Sequence, residues 1–374
     1  MRSLQNKWRC WCCLILVILS LPAYTQIDIT GRVVDEKDDA PLPNASVYFN
    51  NTTIGTYTDQ QGNFSFDAAR LLNTDLVISC AGYDLLAYKP VEKQVEKKRI
   101  VFKLRASTEL QNKMNLTEEL RKKCLEIFYK SFLGVTKEAN KCVVNNPGNI
   151  YFGRGVTNTG FVAYADTPLV VTNNALGYKI SYNLVEFVYD DATMKSDLVG
   201  YTRYQEMGDG KKWARNRQNS YYGSTLHFYR SLIKNQLYEQ GFGTFVLQPV
   251  TDSIQTSMLS DEQAAAAAEI VKTVPITAQE ILYIDSSNNL SIRGVGRLLV
   301  QYSQDPASKE YLRRNVYVAG DLDKGVESQI LFKTSPIGIN ISGVLSDASG
   351  IEYSGYWIYE KAANSLPYDY QPAR

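Results

Sequence analysis

The chain of 374 residues is long enough for two or three domains, and 44% hydrophobic against 21% charged residues is the balance of a protein that buries a core. Lys plus Arg is 40 and Asp plus Glu is 39, so the net charge of +1 leaves no electrostatic footprint for nucleic acid or an anionic membrane. Tyrosine is abundant, 26 against 13 Phe and 4 Trp, which fits strands first and an amphipathic binding surface second.

The first residues read as a secretory signal. Arg2, Lys7 and Arg9 are basic, "CCLILVILSL" (Cys12 to Leu21) is a short apolar run, and Ala23 and Thr25 are small residues at cleavage-type positions. The run is shorter than the ~20 residues a membrane-spanning helix needs. Cleavage is expected near Thr25–Gln26, giving an exported chain in the periplasm, at the outer membrane or on the cell surface. Cys10, Cys12 and Cys13 precede or begin the apolar run, where a lipoprotein would carry its cysteine just after it. The mature chain keeps Cys80, Cys124 and Cys142. The odd number leaves at least one free thiol. Cys124 and Cys142 are a candidate disulfide; the alternative is three buried thiols acting as small hydrophobes.

From Gln26 to Arg105 the pattern is short strands broken by turn residues: "ITGRVVD", "SVYFN", "TIGTYT", "NFSF", "DLVISCAGY" and "RIVFKL". "TIGTYTDQQGNFSF" (Thr53 to Phe66) reads as a hairpin. Asp59 caps its turn, Gly62 takes the left-handed conformation, and Phe64 and Phe66 share a buried face. The spacing predicts an antiparallel sandwich. Gly31, Pro43-Asn44-Ala45 with Val47, Gly55, Thr58-Asp59, Gly62, Phe64 and Gly82-Tyr83 together resemble the carboxypeptidase regulatory-like domain, a prealbumin-like, Ig-like sandwich common in exported proteins of Bacteroidetes-type bacteria. That resemblance implies an exported scaffold module and no peptidase activity of its own.

Residues 106–148 read as a connector and a helix. "TEELRKKCLEIFYKSFLG" (Thr117 to Gly134) has Thr117 as cap, Glu118 and Glu119 in its first turn, Gly134 as stop, and a stripe of Leu120, Cys124, Ile127, Phe128 and Leu133. Residues 149–374 return to strands, so the sandwich is followed by a β-rich α+β domain with two or three helices. "NIYFGRGVTNTGFVAYAD" suggests a hairpin. Tyr178, Ile180, Tyr182 and Leu184 alternate onto one face, and "SDLVGYTRYQEM" supplies the return strand. Ser224 to Gly241 reads as a helix capped by Ser224 and stopped by Gly241. Ser260 to Lys272 reads as an alanine-rich helix with a capping box. "EILYID", "RLLVQYS", "NVYVAG", "SQILFK" and "GYWIYE" read as closing strands. "ALGYKISY", "KKWARNRQNSYYGSTLHFYRSL" and the ending "GYWIYEKAANSLPYDYQP" resemble a companion segment found behind this sandwich in exported Bacteroidetes proteins, for which no activity is implied.

Catalytic patterns are scarce. A carboxypeptidase-type zinc site needs two His and a carboxylate, and His227 is the only histidine. Acidic pairs such as Asp38-Asp39 and Asp190-Asp191 read as solvated turns. No G-x-S-x-G elbow, phosphate-cradling glycine loop or dinucleotide fingerprint occurs, so no cofactor is implied. The densest cluster is Lys211 to Arg230, with Lys211, Lys212, Trp213, Arg215, Arg217, Tyr221, Tyr222, His227 and Arg230. Cations interleaved with aromatics at a helix start suit an anionic group, so these residues are candidates for holding a glycan or peptide. The competing reading is helix entry, with the aromatics packed and the arginines in ion pairs. If the stretch is extended, Arg215 and Arg217 share a face.

The sequence therefore points to a mainly β, exported, non-catalytic envelope protein that binds or assembles with an envelope protein, glycan or peptide partner. A hydrolase of unrecognised type is the remaining alternative. A nutrient-transporter barrel of about 22 strands does not fit in the residues after the sandwich.

Overall fold

The computed structural model describes residues 27–68, 74–90, 99–107, 114–155, 160–249, 271–286, 289–304, 311 and 325–373. The signal segment, the charge run at 92–98 and the strand "NVYVAG" lie outside the described residues.

The first unit is a sandwich of two sheets. One joins β4 (Asn63–Ala68), β1 (Ile27–Asp35) and β7 (Ile100–Leu104); the other joins β3 (Gly55–Tyr57), β2 (Ser46–Phe49), β5 (Leu76–Ser79) and β6 (Leu86–Tyr88). The inner faces meet through Ile29, Val33, Val47, Phe49, Phe64, Leu76, Ile78 and Phe102. Each such side chain contributes ~1.5–3 kcal/mol through burial. The pairing is antiparallel except that β7 runs parallel to β1.

The hairpin expected at Thr53–Phe66 is a corner instead. β3 pairs with β2 in one sheet while β4 pairs with β1 in the other. The local turn chemistry holds: the Asp59 carboxylate accepts from the N–H groups of Gln61 and Asn63, and Gly62 has φ of 74°. A sharp turn is needed either way. The turn residues specify the bend but not which sheet the next strand joins.

The second body is a six-stranded sheet with one helix on it. β12 (Tyr178–Asp190) pairs along its length with β13 (Lys195–Glu206). On its other side it pairs first with β11 (Leu169–Asn173) and then with β10 (Phe161–Ala165); β8 (Cys142–Val144) and β9 (Ile150–Arg154) complete the sheet. Tyr178, Ile180 and Tyr182 are buried as the alternation predicts. Helix α1 (Glu118–Phe132) lays Cys124, Phe128 and Phe132 on this sheet. Thr117 caps it by accepting from the Leu120 N–H. Leu120, expected in the stripe, is exposed: it lies four residues before Cys124 on the same face, but in the first turn of the helix, ahead of the residues that reach the sheet.

Two helices lead to the third body: α2 (Ala214–Tyr221) and α3 (Thr225–Ile233). Its main sheet has the order β15 (Val271–Pro275), β14 (Phe242–Pro249), β18 (Arg297–Tyr302), β19 (Val326–Phe332), β21 (Ile351–Gly355). Helix α4 (Ala278–Ile281) leads into a small sheet of β16 (Leu282–Ile284), β17 (Leu290–Ile292) and β20 (Ile337–Gly338). Phe228 and Leu232 of α3 and Trp357 of α5 (Tyr356–Tyr359) pack into this core.

Three expectations change here. Helix α3 ends at Ile233 rather than Gly241, because Asn235 takes φ of 53° and closes the end: its N–H reaches the Leu232 carbonyl and the Gln236 N–H reaches that of Ser231. Thr277 and Glu280 form a capping box, so "EILYID" begins as the end of a one-turn helix. Likewise "GYWIYE" is the single turn α5 after Gly355 at φ of 77°. Of the alanine-rich stretch, Val271 and Lys272 belong to β15 and the rest lies outside the described residues.

Candidate functional site

The predicted cluster is mostly interior. Lys211–Trp213 is a 3-10 turn that runs directly into α2, so Arg215 and Arg217 do not share a strand face. Arg215 is exposed, whereas Arg217 is buried. The Arg217 guanidinium forms a two-pronged pair with Glu206, at 3.0 and 2.7 Å, and donates to the carbonyls of Leu176 and Gly177. It also stacks 4.0 Å above the Tyr178 ring. Trp213 packs against Gly177, where any side chain would run into the indole, and its Nε1 donates to the Asn174 carbonyl.

Arg230 is buried with no carboxylate partner among the described residues. Its Nε donates to the Ser342 carbonyl at 3.0 Å, and its terminal nitrogens donate to the carbonyls of Tyr370 and Tyr368 at 2.8 Å each. Three carbonyl dipoles thus solvate the charge, and two of them come from the C-terminal segment.

His227 is 2% exposed. Its Nδ1 accepts from the Gly223 N–H at 3.2 Å, so the proton sits on Nε2 and is donated to Gln240 Oε1 at 3.1 Å. Burial holds its pKa below the ordinary value; the Arg230 and Lys234 charges add to this, while the bond to Gln240 acts against it. The Ser224 hydroxyl accepts from the His227 N–H, the capping role its position predicts, and donates to the Tyr221 carbonyl. Tyr221 is buried against the His227 and Tyr370 rings. The contact surface expected at Lys211–Arg230 is therefore corrected: of the cations and aromatics expected to form it only Lys211, Lys212, Arg215 and Tyr222 are exposed, because helix entry buries Trp213, Arg217, Tyr221, His227 and Arg230.

The disulfide is corrected as well. Cys80, Cys124 and Cys142 are free thiols. Cys124 points from α1 into the core, while the Cys142 thiol donates to the Glu138 carbonyl at 3.6 Å. Burial pushes the Cys142 thiol up to about 12. Among the described residues no three His, Cys, Asp or Glu side chains converge as metal ligands.

The sites that sequence reading missed lie where the bodies meet. Arg203 on β13 is buried under the sandwich; it donates to Ser46 Oγ at 2.6 Å and to the Thr56 carbonyl at 3.2 Å, and sits 4.2 Å above the Tyr57 ring. Its Nε has no partner among the described residues. Asn183 beside it links Tyr48 and Ser79 of the sandwich at 2.7 Å each. The C-terminal residues cross all three bodies. Tyr368 N–H donates to the Asn51 carbonyl, Asp369 accepts from Thr53, and the Ala363 carbonyl accepts from Asn173. Two open grooves flank this junction. One, of about 750 Å³, runs past Cys80, Tyr83 and Asp84 to Asp166, Val185 and Tyr201. The other, of about 870 Å³, runs between the sandwich, the edge of β13 and the Val344–Ser349 loop. No sequence pattern marks them, since each wall comes from a separate body.

Residues 29–117 match the CarboxypepD_reg-like domain, so the N-terminal sandwich is a domain of that kind. The match reaches past β7 to Thr117, the cap of α1. No curated protein matches the chain. Among solved structures, a candidate membrane-associated protein of unknown function from Bacteroides fragilis aligns over 88% of this chain and 93% of its own, at 10% identity and a TM-score of 0.18, which is too low to carry an argument.

Proposed function

We infer that the protein is an exported, non-catalytic scaffold of the cell envelope that holds a partner in the grooves between its bodies. The observation that carries this reading is how the reactive side chains are used. The only histidine is neutral, buried and bonded at both nitrogens, and Arg217 and Arg230 are spent on internal ties. Polar groups of separate bodies line the two grooves, one between the sandwich and the six-stranded sheet and the other among all three bodies. The secretory-type N-terminus supports export. No helix among the described residues is long and apolar enough to cross a membrane.

Fractionation of cells expressing the full chain tests this. The expected result is recovery with the periplasmic or outer-membrane fraction, with a mature N-terminus at Gln26 by mass spectrometry. Recovery in the cytoplasm with the N-terminus intact overturns export. Turnover of ester, peptide or glycoside substrates that disappears in His227→Gln overturns the non-catalytic reading.

A further inference from the structure

The larger groove is bounded on one side by a sheet edge, and that edge is already used once. At Thr202–Tyr204 the sandwich adds itself to β13: the Asn51 N–H donates to the Thr202 carbonyl at 2.7 Å, and the Tyr204 N–H donates to the Thr52 carbonyl at 3.0 Å. The outward-pointing groups of β13 are therefore those of even-numbered residues. Because strand backbone groups alternate, Ser196, Leu198 and Gly200 point their N–H and C=O the same way. Among the described residues no strand pairs with them there. Five consecutive residues, Ser196 to Gly200, line the groove. Residues of both parities line it together, as they do where the backbone edge faces the space.

We propose that this edge, Ser196 to Gly200, receives one extended, basic peptide segment of a partner protein as an added strand. This rests on the scaffold reading and names its partner class and its site. Unpaired edge groups are templates for strand addition. The opposite wall, from Asn50 and Asp75 of the sandwich to the Val344–Ser349 loop, closes the groove at a volume of about 870 Å³. That leaves room for one strand but not for a second sheet, which disfavours a second copy of this chain. The charge selects a cationic segment. The lining carries Asp75, Asp197, Asp347 and Glu352 against Lys89 and Lys361, four negative against two positive. Asp347 is occupied by Ser349 and Glu352 by Lys333, while Lys89 donates to the Ser346 carbonyl. Asp75 and Asp197 have no side-chain hydrogen-bond or ion-pair partner among the described residues and remain for the incoming chain. Val199, half exposed beside them, offers apolar contact.

The test uses the mature full chain and a fluorescein-labelled six-residue peptide alternating lysine and valine. Anisotropy is expected to show saturable binding, with hydrogen exchange slowed at the Leu198 and Gly200 amides. Ser196→Pro removes an outward N–H without touching the β12 ladder, and Asp197→Lys reverses an exposed charge. Each is expected to weaken binding about tenfold. The exposed position of Asp197 keeps the test alive should Ser196→Pro fail to fold. Absence of saturable binding to the wild type overturns the proposal. So does equal binding of a glutamate–valine peptide, or affinity unchanged in both variants. Concentration-dependent dimerisation abolished by Ser196→Pro also overturns it, by assigning the edge to a second copy. If the chain fractionates with the envelope and the peptide does not bind, the scaffold reading stands and this site falls.

Discussion

Two buried arginines hold two junctions, and they are satisfied in opposite ways. At the entry to α2, Arg217 meets a carboxylate in a two-pronged pair, two backbone carbonyls and an aromatic face. At the seam between sandwich and β13, Arg203 meets a hydroxyl, one carbonyl and the Tyr57 ring, with no carboxylate and no partner for Nε among the described residues. Burial lowers the pKa of Arg203, and the nearby Tyr57 and Tyr48 offset this only partly. The first arrangement lies within one body, where chain connectivity fixes its partners. The second lies between bodies and is compensated only in part. The contrast suggests that the sandwich is the more readily detached unit.

The sharpest way to break that comparison is to remove the other inter-body arginine's partners. Deleting residues after Leu366 strips Arg230 of two of its three carbonyls and removes the Asn51 and Thr53 contacts at once. Each buried donor left unpaired costs ~1–3 kcal/mol. A loss of about 4 kcal/mol in urea unfolding, with early exposure of the sandwich to protease, is the expected outcome. A truncated chain with unchanged midpoint and protease resistance would show that the C-terminal segment does not tie the bodies together.

Next in size is Arg217→Met. It leaves the Leu176 carbonyl unpaired, while that of Gly177 keeps the Met207 N–H, and it removes the support under Trp213. The expected cost is about 3 kcal/mol, read from Trp213 emission during urea unfolding. The Glu206 side chain is 44% exposed, so water reaches the stranded carboxylate and the cost stays below that of a fully buried pair. Arg203→Met sharpens the contrast. Replacing an incompletely satisfied buried cation by a similar apolar volume is often neutral. The expected change is within about 1 kcal/mol, although Ser46 and the Thr56 carbonyl lose a donor. Comparable losses for the two variants would erase the distinction between the junctions.

The sequence carried the local part of this architecture and not the distant part. Thr117, Asp59, Gly62 and Ser224 are legible because caps and turns depend on neighbours within a few residues. The alternation at Tyr178–Tyr182 is legible for the same reason. Whether β3 continues into a hairpin or crosses to the other sheet is decided by pairing with β2 and β1, and the turn chemistry is the same in both cases. Arg217 and Arg230 look like a ligand site in one dimension because cations beside aromatics read the same whether they face solvent or core. Their partners include Glu206, Ser342, Tyr368 and Tyr370, and those of Arg230 are more than 100 residues away. The Arg203 seam joins residues about 150 positions apart and leaves no mark on the sequence around either one.

The smallest effect concerns His227, which lies on α3 with its ring against Tyr221 and Tyr222 at the end of α2, and titrates where the arginines do not. Unfolded, its pKa is about 6.5. Folded, burial lowers it, and Nδ1 is already occupied as an acceptor from the Gly223 N–H. Below pH 6.5 the unfolded chain therefore binds a proton that the folded chain resists. Stability tracks the proton excess of the unfolded state, so this contribution is complete above about pH 6.5 and falls away as pH drops toward the folded pKa. His227→Gln cannot titrate and keeps a side-chain acceptor. It is expected to flatten the pH dependence of the urea midpoint below 6.5 while costing little at pH 8. The cost at pH 8 measures the lost packing against Phe242 and Tyr302, and the difference in slope isolates the proton. An unchanged slope in the variant would place the acid sensitivity in other groups. The histidine's role would then reduce to filling space between α3 and the sheet.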